Sequence, residues 1–233
     1  FGPSAQGFTH VEWGDIESLK QVIGKHVAAI LVEPVQGEGG ARKAPEGYLK
    51  LLNDIAKENG SLLISDEVLI GMGRSGTLFA YQKEDIEPDI IALAKGLGGG
   101  FPVGAVMAKA EVGDAMVPGT HGSTFGGNPL AMRSANAVLE LLLENDFLSN
   151  LRKMIVYFDK KMDELIKNDM QNNPIIFAKK GSGMLRGFQL NEVVTAGDFS
   201  NIAREKSLLL VGAAENTIRL LPPLNTSKEE VDI

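Results

Sequence analysis

The stretch IIALAKGLGGGFPVGAVMA, residues 90–108, decides how the chain folds. It contains two short apolar runs, residues 90–94 and 103–108, whose length and composition indicate strands. The glycines between these runs allow the chain to turn at little conformational cost. Lys95 stands where the first strand gives way to this glycine loop.

The sequence before this stretch alternates short apolar runs with helical patterns. Residues 27–32 have the composition of a buried strand, and residues 62–65 have that of a further strand. Between them, residues 46–59 place their apolar side chains on one helical stripe, and Gly60 supplies a stop for the helix. This alternation predicts an α/β fold with a mostly parallel sheet in the first two-thirds of the chain.

Asp66 and Lys95 each follow an apolar run and therefore lie at predicted strand ends. A lysine at a strand end can hold a carbonyl cofactor through its amine and also carry protons. A buried carboxylate nearby can keep a pyridine nitrogen protonated, which makes the ring an electron sink. The chemistry that the pair suggests is that of pyridoxal phosphate. Position alone does not decide it, because most lysines are solvated and most aspartates at strand ends cap a helix or turn.

The character of the sequence changes near residue 147. A helix is predicted from Pro129 to Leu143, where proline at the first turn does little harm, and a charged amphipathic helix follows over residues 148–167. A polar link at Asn172 and Asn173 leads to predicted strands at 184–190, 208–211 and 217–221 and a helix at 198–206. We therefore expect two domains. Residues 1–146 form the later part of a large α/β domain with its connecting helix, and residues 147–233 form a smaller α+β domain with helices on one side.

Composition excludes several kinds of site and partner. The chain has no cysteine, which excludes disulfides and thiolate chemistry, and its three histidines show no metal-ligand spacing. The formal net charge of −7 argues against nucleic acid or an anionic membrane as the main partner. No apolar run reaches transmembrane length, and the start lacks a signal-peptide pattern. A small metabolite is the expected ligand, and the cytoplasm is the expected compartment.

Four motifs stand in order along the chain: DEV at 66–68, GMGRSG at 71–76, KGLGGGFPVG at 95–104 and HGSTFGGNP at 121–129. They closely resemble the class III, ornithine-type aminotransferases, which depend on pyridoxal phosphate. The resemblance implies a fold type I enzyme that works as a homodimer. The residues of these motifs are most similar to those of the acetylornithine branch. This similarity implies transfer of the δ-amino group of N-acetylornithine to 2-oxoglutarate in arginine biosynthesis. Ornithine, succinylornithine and 4-aminobutyrate enzymes share nearly all of these motifs and stay open as alternatives.

The resemblance assigns roles to five residues near the predicted cofactor. It implies that Lys95 holds the cofactor and acts as general base, and that Asp66 pairs with the ring nitrogen. Val68 and Thr124 are implied to contact the cofactor, with Thr124 reaching the phosphate across a dimer interface, and Ser123 lies near bound substrate. The alternative for Ser123 and Thr124 is a simple turn, since serine, threonine and glycine favour loops for local reasons.

Glu38 and Arg219 form a second implied pair, within EPVQGEGG at 33–40 and NTIRLLPPL at 216–224. In the family the arginine takes the α-carboxylate of glutamate or 2-oxoglutarate, which a planar guanidinium can bind bidentately. The glutamate covers that arginine while the other amino donor reacts. The alternative is a solvated Glu38 and a charge on an edge strand at Arg219.

Glycines at 71, 73, 76 and 98–100 are expected to be permissive turns, because they lack the strand, Gly-x-Gly-x-x-Gly and helix order of a nucleotide site. Glu33, Gln36 and Arg74 are expected to serve structure rather than chemistry.

Two features depart from the family pattern. Leu69 stands where the family has a glutamine that hydrogen-bonds the phenolic oxygen of the cofactor, and leucine cannot do so. The resemblance also covers only the later part of a family member, so we expect a piece that binds cofactor poorly on its own. Both features keep open the alternative of a non-catalytic fragment or pseudo-enzyme.

Overall fold

The computed structural model describes residue 3 and the ranges 5–171 and 174–233, so the link predicted at Asn172 and Asn173 lies outside the described residues. The elements in chain order are α1 (Ile16–Val22), β1 (Ala29–Val32), β2 (Val35–Gln36), β3 (Arg42–Lys43), α2 (Tyr48–Asn59), β4 (Leu62–Asp66), β5 (Ile90–Leu93), β6 (Ala105–Ala108), α3 (Ala110–Gly113), α4 (Pro129–Leu142), α5 (Phe147–Asp169), β7 (Ile176–Ser182), β8 (Leu185–Leu190), α6 (Ala196–Glu205), β9 (Val211–Ala213), β10 (Thr217–Leu220) and α7 (Lys228–Val231). Two 3₁₀ helices lie at Ala80–Glu84 and Lys95–Gly98.

The first sheet has the strand order β1-β4-β5-β6. The first three strands are parallel, and β6 runs antiparallel to β5. The prediction of a mostly parallel α/β sheet is therefore confirmed. Because parallel neighbours end at the same edge of a sheet, the residues that follow β1, β4 and β5 come together there.

One face of this sheet is buried and the other is more open. Every second residue of β1, β4 and β5 is buried, in the alternation that a half-covered sheet requires. The buried residues Ile30 and Leu63 pack against the apolar stripe of α2, and Ile91 and Leu93 pack with the side chains of α4. On the opposite face Leu31 is 58% exposed. The hydrophobic core therefore lies between this face of the sheet and helices α2 and α4.

Helix α2 forms because its apolar residues share one face, as the spacing predicts. It begins at Tyr48, two residues later than expected, because Gly47 precedes it with a left-handed backbone. Gly60 ends it in the left-handed conformation, and its amide donates to the carbonyl of Ala56. The stop predicted at Gly60 is confirmed.

The second sheet has the order β7-β8-β10-β9 and is antiparallel throughout. Side chains of α5 and α6 share one core with Phe188, Leu190 and Ile218. Because side chains alternate along a strand, Arg219 lies on the other face of β10 from Ile218. The helices therefore cover one face of this sheet, and Arg219 projects from the face that they leave free.

Two strands of this half, and two short strands of the first half, differ from the sequence prediction. The strand predicted at 208–211 is wrong in position, because the Leu208 amide closes α6 by donating to Ala203, and pairing with β10 begins only at Val211. Strand β7 was not predicted, because Lys179 and Lys180 break its apolar pattern. Both lysines form ion pairs with acidic side chains, as charged residues on an edge strand commonly do. The two-residue strands β2 and β3 are too short to give a periodic signal.

Within the described ranges, no helix has the length and apolar character needed to cross a membrane. The same residues contain no group of three or more histidines or carboxylates that could hold a metal ion.

Candidate active site

Three neighbouring strands end at one edge of the first sheet, and a charged side chain lies at or just after the end of each. Glu33 comes directly after β1, Asp66 is the last residue of β4, and Lys95 stands two residues beyond the end of β5. In the strand register Asp66 pairs with Ala92, three residues before Lys95. The structure therefore brings the two predicted catalytic residues to the same edge, as their strand-end positions require.

Lys95 has an unusual backbone conformation. Its φ angle is 45°, in the left-handed region that residues with a Cβ seldom occupy. Such a conformation costs roughly 1–2 kcal/mol in a residue other than glycine. It opens the 3₁₀ turn Lys95–Gly98, which is anchored by the buried side chain of Leu97. The side chain of Lys95 is exposed, so its amine is available to a ligand.

Asp66 is half-buried and keeps one oxygen free. Its Oδ1 accepts a hydrogen bond from the amide of Val68 at 2.9 Å. No donor to Oδ2 is found among the residues that the structure describes. A carboxylate held at one oxygen and open at the other fits a ligand that presents an N–H, as a protonated pyridine does.

Glu33 also lies at this edge of the sheet. Its electrostatic interaction with Asp66 and Lys95 could not be predicted from the sequence. Burial raises the pKa of its carboxyl, opposed by the Gly37 amide, which donates to Oε2 at 3.1 Å. The charge of Asp66 also raises the pKa, and that of Lys95 lowers it. Glu33 thus holds the turn before Glu38 and shares the electrostatic environment of the two predicted catalytic residues.

A cavity of about 250 Å³ opens beside Lys95. Its other walls are mostly aliphatic and include Leu69, Val138 and Leu221, and Arg74 contributes a polar group. Leu69 packs with Leu221 and the apolar residues below the turn at Gly37. A Cβ placed on Gly37 would lie 2.0 Å from Leu69 Cδ2, so the leucine lies directly against that turn. Leu69 therefore contributes an apolar wall to the cavity, and its side chain can form no hydrogen bond.

The predicted pair of Glu38 and Arg219 is in contact, although the residues are 181 positions apart. Arg219 Nη1 donates to Glu38 Oε1 at 2.7 Å. The arginine side chain is 8% exposed and the glutamate 79% exposed, so a carboxylate from the surface covers a buried cation. The Nε of Arg219 is buried and has no hydrogen-bond partner among the described residues. This guanidinium has capacity for a further acceptor.

Ser123 and Thr124 are not brought to the cavity. Both are exposed, and neither lines the space beside Lys95. The amide of Gly126 donates to the carbonyl of Ser123, which makes the segment a turn. Their predicted contacts with a cofactor phosphate and a substrate stay predictions, and the first of them needs a second copy of the chain.

Glu67 is a second residue whose environment the sequence did not reveal, because nothing in its pattern separates it from Asp66. It is 1% exposed and accepts the amides of Ala80 and Tyr81 at 2.8 and 2.9 Å. Burial raises the pKa of its carboxyl, and these two amides lower it in part. The residue next to the candidate catalytic aspartate therefore anchors the first turn of the helix Ala80–Glu84.

Replacing Glu67 by glutamine should make stability less dependent on pH. Because the folded state raises the pKa of Glu67, its contribution to the free energy of unfolding is fully present below the unfolded value near 4.5 and declines as the pH rises through the folded value. The stability difference between wild type and Glu67→Gln should therefore shift against wild type as the pH rises. Urea unfolding at pH 5 and pH 7.5 measures it, with Glu46→Gln as an exposed control. A difference that does not change with pH would contradict the assignment.

Comparisons with known proteins show which family this sequence resembles. The sequence profile of the family described as "Aminotransferase class-III" matches residues 6–233. Acetylornithine aminotransferase 1 of Bradyrhizobium diazoefficiens is 45% identical over 232 residues, which are 100% of this chain and 56% of that protein. Ornithine aminotransferase 2 of Staphylococcus aureus is 40% identical over 234 residues, covering 100% of this chain and 57% of its own length. The chain thus spans less than two-thirds of the curated relatives that it matches.

A solved structure with the same fold is the ornithine aminotransferase of Toxoplasma gondii, described as having partial occupancy of pyridoxal phosphate at its active site. It superposes with a TM-score of 0.91 at 34% identity, over 100% of this chain and 55% of that one.

Proposed function

This chain belongs to the class III aminotransferases, and we propose from that membership that it carries the reactive lysine of a pyridoxal-phosphate-dependent transaminase. The observation that carries the proposal is the meeting of Lys95 and Asp66 at one edge of a parallel sheet. The fold is that of fold type I enzymes, as the superposition at a TM-score of 0.91 supports. We place the domain boundary between residues 146 and 147, where α5 begins.

The residues at this edge fit pyridoxal phosphate. That cofactor, when bound, supplies an electron sink for the negative charge that develops as the substrate loses a proton. Lys95 would hold the cofactor through its exposed amine and then move a proton between the substrate carbon and the cofactor. Asp66 would accept a hydrogen bond from the ring nitrogen through its free Oδ2, and Val68 would contact the ring.

Arg219 would bind the α-carboxylate of glutamate or 2-oxoglutarate. Its buried guanidinium has an unpaired Nε, and the exposed Glu38 that covers it can move aside without breaking a packed core. A carboxylate ligand would then replace the Glu38 carboxylate on the same cation. This exchange would let one site accept two amino donors of different shape.

We propose N-acetylornithine as the amino donor, which would place the protein in arginine biosynthesis. The relatives include both acetylornithine and ornithine aminotransferases, so ornithine is the first alternative. Succinylornithine and 4-aminobutyrate are the others. A homodimer would bring Thr124 of one copy to the cofactor phosphate of the other and place Ser123 near substrate. The cytoplasmic location stays a prediction.

The experiment that tests this proposal is to add pyridoxal phosphate to the intact protein and follow the absorption band of the bound cofactor, then add each amino donor in turn. Transaminase activity predicts that the band appears with cofactor and is lost with the true donor. The second candidate function, a non-catalytic binding or assembly partner, is motivated by Leu69, which offers no hydrogen bond to the cofactor. It predicts no spectral response to any donor.

Replacing Glu38 by glutamine should favour the glutamate half-reaction over the acetylornithine half-reaction. Arg219 would no longer have to exchange an ion-pair partner before it takes the α-carboxylate. An ion pair with one exposed member is worth little, so the ratio of the two rates should change by roughly two- to fivefold. Single-turnover rates of both half-reactions measure the ratio. Glu215→Gln, which removes a carboxylate from the nearby turn between β9 and β10, is the control, and equal losses in both half-reactions would make Glu38 purely structural.

A further inference from the structure

The loop at residues 71–76, here called the Arg74 loop, does more than turn the chain. It leads from the end of β4 toward the second sheet, and its members Gly71, Met72 and Arg74 line the cavity beside Lys95. The second sheet lies directly against it. A Cβ on Gly183, in the turn between β7 and β8, would lie 2.2 Å from the carbonyl oxygen of Arg74. The two halves of the chain therefore meet backbone to backbone at this loop.

Arg74 bonds to two separate segments of the second half. Its Nη1 donates to the carbonyl of Met184 and to that of Pro222, each at 3.0 Å. The amide of Met184 returns a hydrogen bond of 2.8 Å to the Arg74 carbonyl. Met184 precedes β8, and Pro222 lies just beyond the end of β10. One guanidinium thus joins the Arg74 loop to both of these neighbouring strands.

The charge of Arg74 is not balanced by an acid. Burial is the cause that lowers the pKa of its guanidinium, and no carboxylate forms an ion pair with it in the part of the chain that the structure describes. A half-buried cation whose only acceptors are neutral carbonyls is costly to maintain, and an apolar side chain could fill the same space. What an apolar side chain cannot do is hold two carbonyls in a fixed planar geometry.

Arg74 bonds to the second sheet at Pro222, which lies three residues after Arg219 in the sequence. Pro222 follows β10, which carries Arg219, and Leu221 lines the same cavity as Arg74 and Lys95. We propose that Arg74 is a positioning residue that fixes the Arg219 strand relative to the Lys95 cavity. This inference rests on the proposed function, in which Arg219 binds the carboxylate of the substrate. Arg74 acts through Pro222 and does not touch the reacting atoms.

The test compares Arg74→Lys with Arg152→Met in the intact protein. Lysine keeps the charge but lacks the planar fork. Arg152 is the matched control, because its Nη1 donates to the carbonyl of Gly76 in the same loop without reaching β10. We expect Arg74→Lys to raise the KM for 2-oxoglutarate by about tenfold with kcat changed less than about threefold, since substrate positioning is lost before proton transfer. Arg152→Met should leave both constants near wild type.

Hydrogen exchange of residues 217–224, measured without substrate, gives a readout that does not depend on activity. We expect faster exchange there in Arg74→Lys than in wild type or Arg152→Met. A lower melting temperature with unchanged KM and unchanged exchange would overturn the proposal and leave Arg74 a general stabiliser. If wild type does not transaminate 2-oxoglutarate, the proposed function fails and exchange alone decides whether Arg74 positions β10.

Discussion

Replacing Lys95 by alanine should abolish transamination by the intact protein and leave its fold in place. The proposed mechanism gives this amine two tasks, holding the cofactor and carrying the proton, and alanine can perform neither. Loss of a general base alone typically lowers a rate by roughly 10²–10⁴-fold, and loss of the cofactor anchor adds to it. The side chain is exposed, so its removal opens no core cavity.

Steady-state kinetics and circular dichroism of Lys95→Ala measure the two parts of this prediction. Borohydride reduction of the wild-type protein with its cofactor, followed by peptide mapping, should place the pyridoxyl group on Lys95. Lys109 is the control, because it lies after β6 and pairs with Asp89 at 2.9 Å. A label on Lys109, or a Lys95→Ala variant that still transaminates, would remove Lys95 from the mechanism.

Gly183→Ala should be among the most destabilising single substitutions in the chain. The φ angle of Gly183 is 62°, and a Cβ there would meet Ser75 Cα at 2.7 Å in addition to the carbonyl oxygen of Arg74 at 2.2 Å. Every one of these atoms belongs to the backbone, so no side-chain rotation can relieve the overlap. Overpacking and left-handed strain together should lower the free energy of unfolding by about 2–4 kcal/mol.

The matched control is Gly60→Ala, at the end of α2. Gly60 has a similar φ angle of 70°, and no atom of the described residues lies within 4 Å of a Cβ placed there, so this position reports the backbone strain without the overlap. That variant should lose only roughly 1 kcal/mol. Urea unfolding of both variants measures the difference in the free energy of unfolding. Equal losses of this free energy would mean that the two halves of the chain are not in close backbone contact at Gly183.

The sequence predicted the first sheet well because its strands are short, apolar and separated by clear stops. The run before Lys95 and the helix ending at Gly60 both carry local signals that tertiary contacts do not override. Strand β7 had no such signal, since Lys179 and Lys180 are accommodated by acids of α5 and by Glu215. Because those partners are distant in sequence, a local sequence pattern cannot predict them.

The candidate site also contains residues that could be predicted from the sequence and residues that could not. Lys95 and Asp66 could be placed from strand ends, and the contact between Glu38 and Arg219 came from the family resemblance rather than from any local pattern. The burial of Glu67 and the two carbonyls held by Arg74 depend on segments 13 to 148 residues away. Single-sequence patterns do not report such contacts, which is why Arg74 was expected only to serve structure in a general sense.

The left-handed backbone of Lys95 has a consequence for which residues position 95 can hold without strain. Glycine occupies that conformation without strain, so a mutation of Lys95 to glycine would tend to stabilise the fold while removing the amine. The fold therefore carries the amine of Lys95 at a conformational cost of roughly 1–2 kcal/mol that glycine would not incur.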